Sequence, residues 1–233
     1  MNTDRLSEGL ARLGLPSDAA TVAALDAYVD LLVRWNGVYN LTSVRDREKM
    51  RPVHLLDSLS ILRPLQQAAG GVSAPLLVDV GTGGGLPGLP LALLWPALRV
   101  ALVEPVGKKV AFLRQAVGAL GLQNRVRVIG ARVEHLQVIG LPPAGGKPVD
   151  TMPVPDLIVS RAFASLRDFA AAIAHLVGPG TRVFAMKGQT PTAEIAELPS
   201  DWQVLANHPL EVPELDARRH LIELGRRPPA VAG

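Results

Sequence analysis

With 233 residues, 48% of them hydrophobic and 19% charged, the chain is long enough to bury a full core and too apolar for bulk disorder. It has no cysteine, which excludes a disulfide framework, a thiolate metal site and a cysteine nucleophile. A net charge of +3 and an isoelectric point near 9.6 lean toward an anionic partner without naming one. The most membrane-like stretch, Val80 to Leu98, carries five glycines and three prolines, unlike a spanning helix. Met1 to Glu8 is polar and mixed in charge, unlike a signal peptide.

In chain order, the first third reads as helical. Ser17 is placed to cap a helix with Asp18 in its first turn. Leu25, Val29, Leu32 and Trp35 recur at helical spacing, and Asn36-Gly37 reads as the stop. Val38 to Arg47 reads as a loop, and Pro52 to Leu62 as a short helix with Leu55, Leu59 and Leu62 on one side. Gln66 to Pro75 looks like the link into a second region, dividing an N-terminal extension (1–70) from a larger domain (71–233). There the rhythm becomes strand–helix alternation, the signature of a parallel α/β sheet. Strands are predicted at Leu76–Val80, Arg99–Val103, Val126–Ile129, Leu157–Ser160 and Arg182–Met186. Helices fall between them at Leu89–Trp95, Lys108–Leu120 and Leu166–Val177. Trp202–Leu210 and Arg219–Leu224 form a closing antiparallel pair, and Ile139–Pro155, rich in Pro and Gly, reads as a mobile surface insertion.

The informative segment is Asp79-Val80-Gly81-Thr82-Gly83-Gly84-Gly85-Leu86-Pro87-Gly88, between a strand and a helix. Ligands on such sheets bind beyond the carboxyl ends of the strands, where glycines let them touch the backbone. Glu104 ends the next strand, in the position that holds a ribose diol in such folds. Gly83, Gly85 and Gly88 satisfy G-x-G-x-x-G, so a dinucleotide is one option. Two residues argue for another. Asp79 would face a pyrophosphate unfavourably but suits a cationic ligand, and Pro87 sits where a helix should offer N–H groups to phosphate. An acid followed by G-x-G-x-G is the pattern of S-adenosylmethionine methyltransferases, whose ligand carries a sulfonium and an ammonium and no phosphate. Glu134, in Arg132-Val133-Glu134 after the third strand, is a third acidic candidate, with Val133 available to an adenine ring.

Several ordered strings then point one way: Trp35-Asn36, Tyr39 to Ser43, His54-Leu55-Leu56-Asp57-Ser58, Asp79 to Pro90, Lys108-Lys109 with Phe112-Leu113-Arg114, Arg132-Val133-Glu134, Ser160-Arg161-Ala162 and Lys187-Gly188. With these the chain resembles the bacterial 16S ribosomal RNA guanine-N7 methyltransferases, the GidB/RsmG family, from roughly Leu31 to Glu223. The resemblance implies a class I, Rossmann-like S-adenosylmethionine-dependent methyltransferase fold behind a helical N-terminal extension. It implies a cofactor site at Gly81, Leu86, Val133, Glu134 and Arg161, with Glu104 on the ribose; the acid and glycine pattern adds Asp79 and Gly83 as cofactor-binding candidates. Leu86 replaces the family's usual aromatic, and the Ile139–Pro155 insertion is longer than the family's loop.

Guanine N7 has a lone pair and no proton, so its methylation needs alignment rather than a general base, and no acid–base dyad is expected. Nor is a metal. Phe163, after the fourth strand, is available either to the purine or to the core. His54, Asp57 and Ser58 are too close on one helix for a hydrolytic triad and read as capping and interdomain hydrogen bonds. Arg161 points at the site, with Glu134 or Asp156 as its expected ion-pair partner. Candidate RNA contacts are Arg45, Arg47, Lys49, Arg51, Lys108, Lys109 and Arg114, with Arg125, Arg127, Arg218 and Arg219 as further basic positions. The partner implied is 16S ribosomal RNA within the small subunit or its precursor. The chain is expected to be cytoplasmic and monomeric, with no membrane contact. A nicotinamide-dependent oxidoreductase and a non-catalytic RNA assembly factor are the competing readings.

Overall fold

The computed structural model describes residues 3–141, 150–161 and 163–227. A seven-stranded sheet forms the centre, built from β1 (Leu76–Val80), β2 (Arg99–Val103), β3 (Val126–Ile129), β6 (Leu157–Arg161), β7 (Arg182–Lys187), β8 (Trp202–Leu210) and β9 (Arg219–Arg226). Their order is β3-β2-β1-β6-β7-β9-β8, with β9 antiparallel to both β7 and β8 and the rest of the sheet parallel. The order reverses at β1, beside β6, so a crevice opens beyond the ends of those two strands, where ligands of such sheets bind.

Alternation along the strands assigns the two faces. Leu77, Val100, Leu102, Leu157, Val159 and Phe184 face one side, against α6 (Gly88–Leu94) and α7 (Gly107–Ala119). Val78, Val80, Ala101, Val103, Ile158 and Val183 face the other, against α8 (Leu166–Ile173). The N-terminal helices join the first of these cores. Leu6 and Leu10 of α1 (Thr3–Arg12), and Leu25, Tyr28 and Leu32 of α2 (Ala19–Tyr39), lie in one cluster with Leu89 and Phe112. Each fully buried side chain of that size contributes about 1.5–3 kcal/mol, so the extension is bonded to the sheet by its own apolar face.

Several elements differ from expectation. Helix α1 was hidden in the polar N-terminal segment. The cap of α2 is Asp18 rather than Ser17; its Oδ1 accepts from the amides of Ala20 and Thr21 at 3.0 Å. Asn36-Gly37 does not end α2. Asn36 is buried, accepting from the Thr42 amide at 2.9 Å and donating to the Val44 carbonyl at 3.1 Å. The helix runs on to Tyr39 and stops at Asn40, which takes the left-handed conformation at φ 49°. The segment expected at Pro52–Leu62 begins earlier, with α3 (Arg47–Met50), a π-helical turn (Arg51–Leu56) and α4 (Asp57–Leu59), followed by α5 (Leu62–Ala68). Just before the insertion, β4 (Leu136–Val138) pairs in parallel with β5 (Asp150–Met152) inside it; the insertion's middle, 142–149, lies outside the described residues.

Candidate functional site

The glycine loop leaves β1 and is pinned from two sides. At the strand end, the amides of Gly81 and Thr82 donate to the Val103 carbonyl at 2.9 and 3.2 Å. Within the loop, Oδ2 of Asp79 accepts from the Gly88 amide at 2.8 Å and the Thr82 hydroxyl at 2.6 Å. Asp79 is fully buried, and its Oδ1 has no protein partner. Burial, only partly offset by those hydrogen bonds and by Arg161, pushes its carboxyl up to about 6. Glu104, also buried, braces the far side: Oε2 accepts from the Gly83 amide at 2.9 Å and Oε1 from the Val106 amide at 3.0 Å. Lys109 Nζ stands 4.0 Å from the same carboxylate. Each Glu104 oxygen keeps a second lone pair for a ligand hydroxyl.

Four of the loop's glycines divide by what a Cβ would meet. At Gly81 (φ 67°) nothing lies within 4 Å, and at Gly83 (φ 59°) only the Gly81 carbonyl, at 4.0 Å. Both positions have room for a Cβ, and Gly81 lines a cleft. At Gly85 a Cβ would strike Leu89 at 2.4 Å, and at Gly88 it would meet Leu102 at 2.5 Å. Those positions let helix α6 sit close on the sheet.

The cleft beside the loop is lined by Val80, Gly81, Val103, Pro105, Arg132, Val133, Glu134 and Phe163. Of the predicted cofactor residues it brings together Gly81, Val133 and Glu134. Asp79 and Glu104 lie under the loop, and Leu86 is buried in the core on the far side of it. Arg132 Nη2 stands 3.8 Å from Glu134 at the exposed rim. Phe163 is half-buried, its ring 5.4 Å from that of Phe169. The hydrophobic run of β2 carried no sign that Val103 would line this cleft.

Arg161 faces a second, adjoining cleft. Its partner is neither Glu134 nor Asp156 but Asp57: Nη1 lies 3.3 Å from Asp57 Oδ2 and 3.3 Å from the Val53 carbonyl. Asp156 instead accepts from the Leu76 amide at 2.7 Å. Asp57 Oδ1 accepts from Arg219 Nε at 2.7 Å, so one buried carboxylate joins the N-terminal helices to β6 and β9. His54 Nε2 lies 2.8 Å from the Thr42 hydroxyl, and burial pushes its pKa down to about 4. The hydrogen-bonding reading therefore has specific partners for His54 and Asp57, but it fails for Ser58, whose buried hydroxyl has no partner among the described residues.

The basic candidates are not equivalent. Arg51 is buried and spends its guanidinium on Asp26, at 3.0 and 2.9 Å, and on Glu48, at 2.9 Å. Arg47 bonds Asp30 at 2.8 Å, and Arg45 bonds the Asn40 side chain at 3.1 Å. Lys49, Lys108 and Arg114 are exposed.

A family model described as rRNA small subunit methyltransferase G, GidB, matches residues 21–222. The chain belongs to that family. Among its relatives, the ribosomal RNA small subunit methyltransferase G of Azoarcus sp. is 46% identical over 222 residues, 95% of each chain. That of Burkholderia pseudomallei is 49% identical over 220 residues, 94% of this chain and 89% of the relative. Among solved structures, MtNAS in complex with MTA and tNA superposes with a TM-score of 0.56 at 16% identity, covering 86% of this chain and 71% of the other. TrmN from Thermus thermophilus gives a TM-score of 0.50 at 21% identity, covering 72% and 48%. These two bear on the fold, which is that of the Rossmann-like methyltransferases. Among the described residues no helix is long and apolar enough to cross a membrane, and no group of acidic and histidine side chains could hold a metal ion.

Proposed function

We propose that this chain transfers the methyl group of S-adenosylmethionine to N7 of a guanine in 16S ribosomal RNA, in the small subunit or its precursor, as a cytoplasmic monomer. The observation that carries the cofactor assignment is the hydrogen bond from the Gly88 amide to Asp79. A pyrophosphate needs that amide and would face a buried acid; the loop spends the amide internally and has buried carboxylates behind it. The same feature disfavours a dinucleotide, although Gly83, Gly85 and Gly88 fit its spacing. Family membership supports ribosomal RNA of the small subunit as the substrate.

Bound S-adenosylmethionine supplies an electrophilic methyl on a positively charged sulfur. The chain's own residues bind and orient. Asp79 and Glu104 hold the glycine loop from beneath and put negative charge behind a cationic ligand. Glu104 retains lone pairs for a ribose diol, and Val133 offers an apolar wall to adenine. In the transfer, a C–N bond forms at N7 as the C–S bond breaks, and the positive charge passes from sulfur to the purine. No proton leaves N7, so no side chain need accept one.

The test is transfer of a tritiated methyl group to small subunits isolated from cells lacking the enzyme, followed by mapping of the modified base. Label at guanine N7 in 16S RNA is the expected result. Label on protein, at another atom, or nowhere would refute the proposal.

A further inference from the structure

Two clefts meet at the carboxyl end of β6. One is the cofactor cleft, with Phe163 in its wall. The other lies between the N-terminal helices and the ends of β6, β7 and β9, and His54, Asp57, Arg161, Lys187 and Arg219 line it. Their charges do not cancel. Asp57 serves two guanidiniums at once, Arg219 at 2.7 Å and Arg161 at 3.3 Å. Lys187 donates to Glu194 at 2.7 Å and to the Phe163 carbonyl at 3.3 Å. His54 adds no negative charge to the wall. The balance around Asp57 is therefore positive.

We infer that this second cleft receives the acceptor guanine nucleotide, with Arg219 and Arg161 as the groups that hold it; the inference rests on the methyl-transfer reading above. Placement supports it first. Ser160, next to Arg161, donates its hydroxyl to the Val80 carbonyl at 2.8 Å, tying the end of β6 to the start of the glycine loop. Arg161 and Phe163, two residues apart in sequence, stand in the walls of the two clefts, so a base in one is near a ligand in the other.

The lining chemistry supports it second. Guanine shows two acceptors, N7 and O6, on the edge to be methylated, whereas adenine shows N7 and a donor. Arginine and lysine can only donate. The one carboxylate in the wall already accepts at both oxygens. A donor at O6 leaves N7 free for the methyl and opposes the amino group of adenine. The surplus positive charge also suits the phosphate of a nucleotide turned out of its stack. Asp57 acts through the two arginines and is a positioning residue. Neither Arg219 nor Asp57 is needed by the cofactor cleft, which their side chains do not line.

The experiment compares Arg219→Gln and Arg219→Lys with the unaltered chain, in single-turnover methyl transfer at saturating small subunits and in calorimetric binding of S-adenosylmethionine. Removing a charge-assisted hydrogen bond to the acceptor should slow transfer by about ten- to a hundredfold in Arg219→Gln. Arg219→Lys, which keeps charge and donors, should recover most of that rate. Cofactor affinity should stay within about twofold in both, which also shows that they fold. Should Arg219→Gln unfold, Arg161→Gln serves as the second variant, with the same expectation. Transfer within twofold of the unaltered rate, or a cofactor affinity that falls in parallel with the rate, overturns the acceptor assignment. An unaltered chain that binds S-adenosylmethionine but labels no RNA overturns the functional reading and this inference with it.

Discussion

The hydroxyl of Tyr28 donates a 2.7 Å hydrogen bond to the carbonyl of Gly84, fifty-six residues further along the chain. Tyr28 is fully buried, and Leu32, one turn on, would lie 3.2 Å from a Cβ at Gly84. Helix α2 therefore rests directly on the glycine loop, so the N-terminal helices help to fix the loop that borders the proposed cofactor cleft. Tyr28→Phe keeps the packing and leaves the Gly84 carbonyl buried without a donor, at a cost of about 1–3 kcal/mol. The expected outcome is a lower unfolding midpoint together with several-fold weaker binding of S-adenosylmethionine. Denaturant melts and calorimetry on one preparation check it; unchanged affinity would make the bond a packing device alone.

Glu104 is expected to couple stability to binding in a similar way. Its two oxygens hold the amides of Gly83 and Val106, so Glu104→Gln must give up one of them, because the amide nitrogen cannot accept. The unliganded protein should lose about 1–2 kcal/mol, and cofactor affinity should fall at least tenfold, since a ribose diol would meet a donor where it needs an acceptor. A variant that loses stability with no loss of affinity would assign Glu104 to the loop and not to the ligand.

How much of this site was legible in the sequence follows from the range of the interactions. The parallel strands and the glycine loop could be read because short apolar runs, turn residues and spacing are local signals. Asp79 and Glu104 could be placed at strand ends for the same reason. The partner of Arg161 could not: Asp57 lies 104 residues away in sequence, directly after a π-helical turn that no periodicity announces. Nor could Arg51 be told from Lys49. Both are basic residues in one run, yet Asp26, 25 residues earlier, claims the first and the second stays exposed. The stop signal at Asn36-Gly37 failed because Asn36 turns inward to bond the following loop.

Asp79 makes stability depend on pH. Burial raises its carboxyl to about 6 from an ordinary 3.8. Between those values the folded chain holds a proton that the unfolded chain has released, so this group's contribution falls as pH rises from about 4 to 6 and is level above. Asp79→Asn can keep the bonds from Thr82 and Gly88 on its amide oxygen while removing the buried charge. It should therefore gain on the order of 2–3 kcal/mol over the unaltered protein at pH 8 and almost nothing at pH 4. Cofactor affinity should fall about tenfold or more, because the charge behind a cationic ligand is gone. Urea melts at the two pH values decide it: an equal difference at both would show that ionisation of Asp79 is not the cause.

The glycines separate packing from ligand space. Gly88→Ala forces a Cβ to 2.5 Å from Leu102 and 2.8 Å from Asp79, an overpacking that should cost about 1–3 kcal/mol. Gly81→Ala meets no atom but takes a backbone at φ 67°, costing about 1–2 kcal/mol, and its methyl would stand where the cleft opens. Both should lower stability by comparable amounts. Only Gly81→Ala should lose most of its cofactor affinity when measured below both unfolding midpoints. Equal affinities in the two variants would remove Gly81 from the ligand surface.

RNA binding should divide the basic residues by what already neutralises them. Arg51 is buried between Asp26 and Glu48, so Arg51→Glu would place three acids together and should unfold the chain rather than report on RNA. Lys108 and Arg114 are exposed on α7, whose Phe112 and Leu113 face the core, so their reversal disturbs no packing. The pair Lys108→Glu with Arg114→Glu should therefore reduce methylation of small subunits while leaving S-adenosylmethionine affinity within about twofold, since screening confines such charges to about 10 Å at ordinary salt. The dependence of RNA binding on salt should also flatten by about one unit of slope for each phosphate that the variant no longer neutralises. A double reversal that changes neither methylation nor the salt slope would make the outer face of α7 a solubilising surface. Phosphate neutralisation would then have to come from Arg45 and Lys49, which are both exposed.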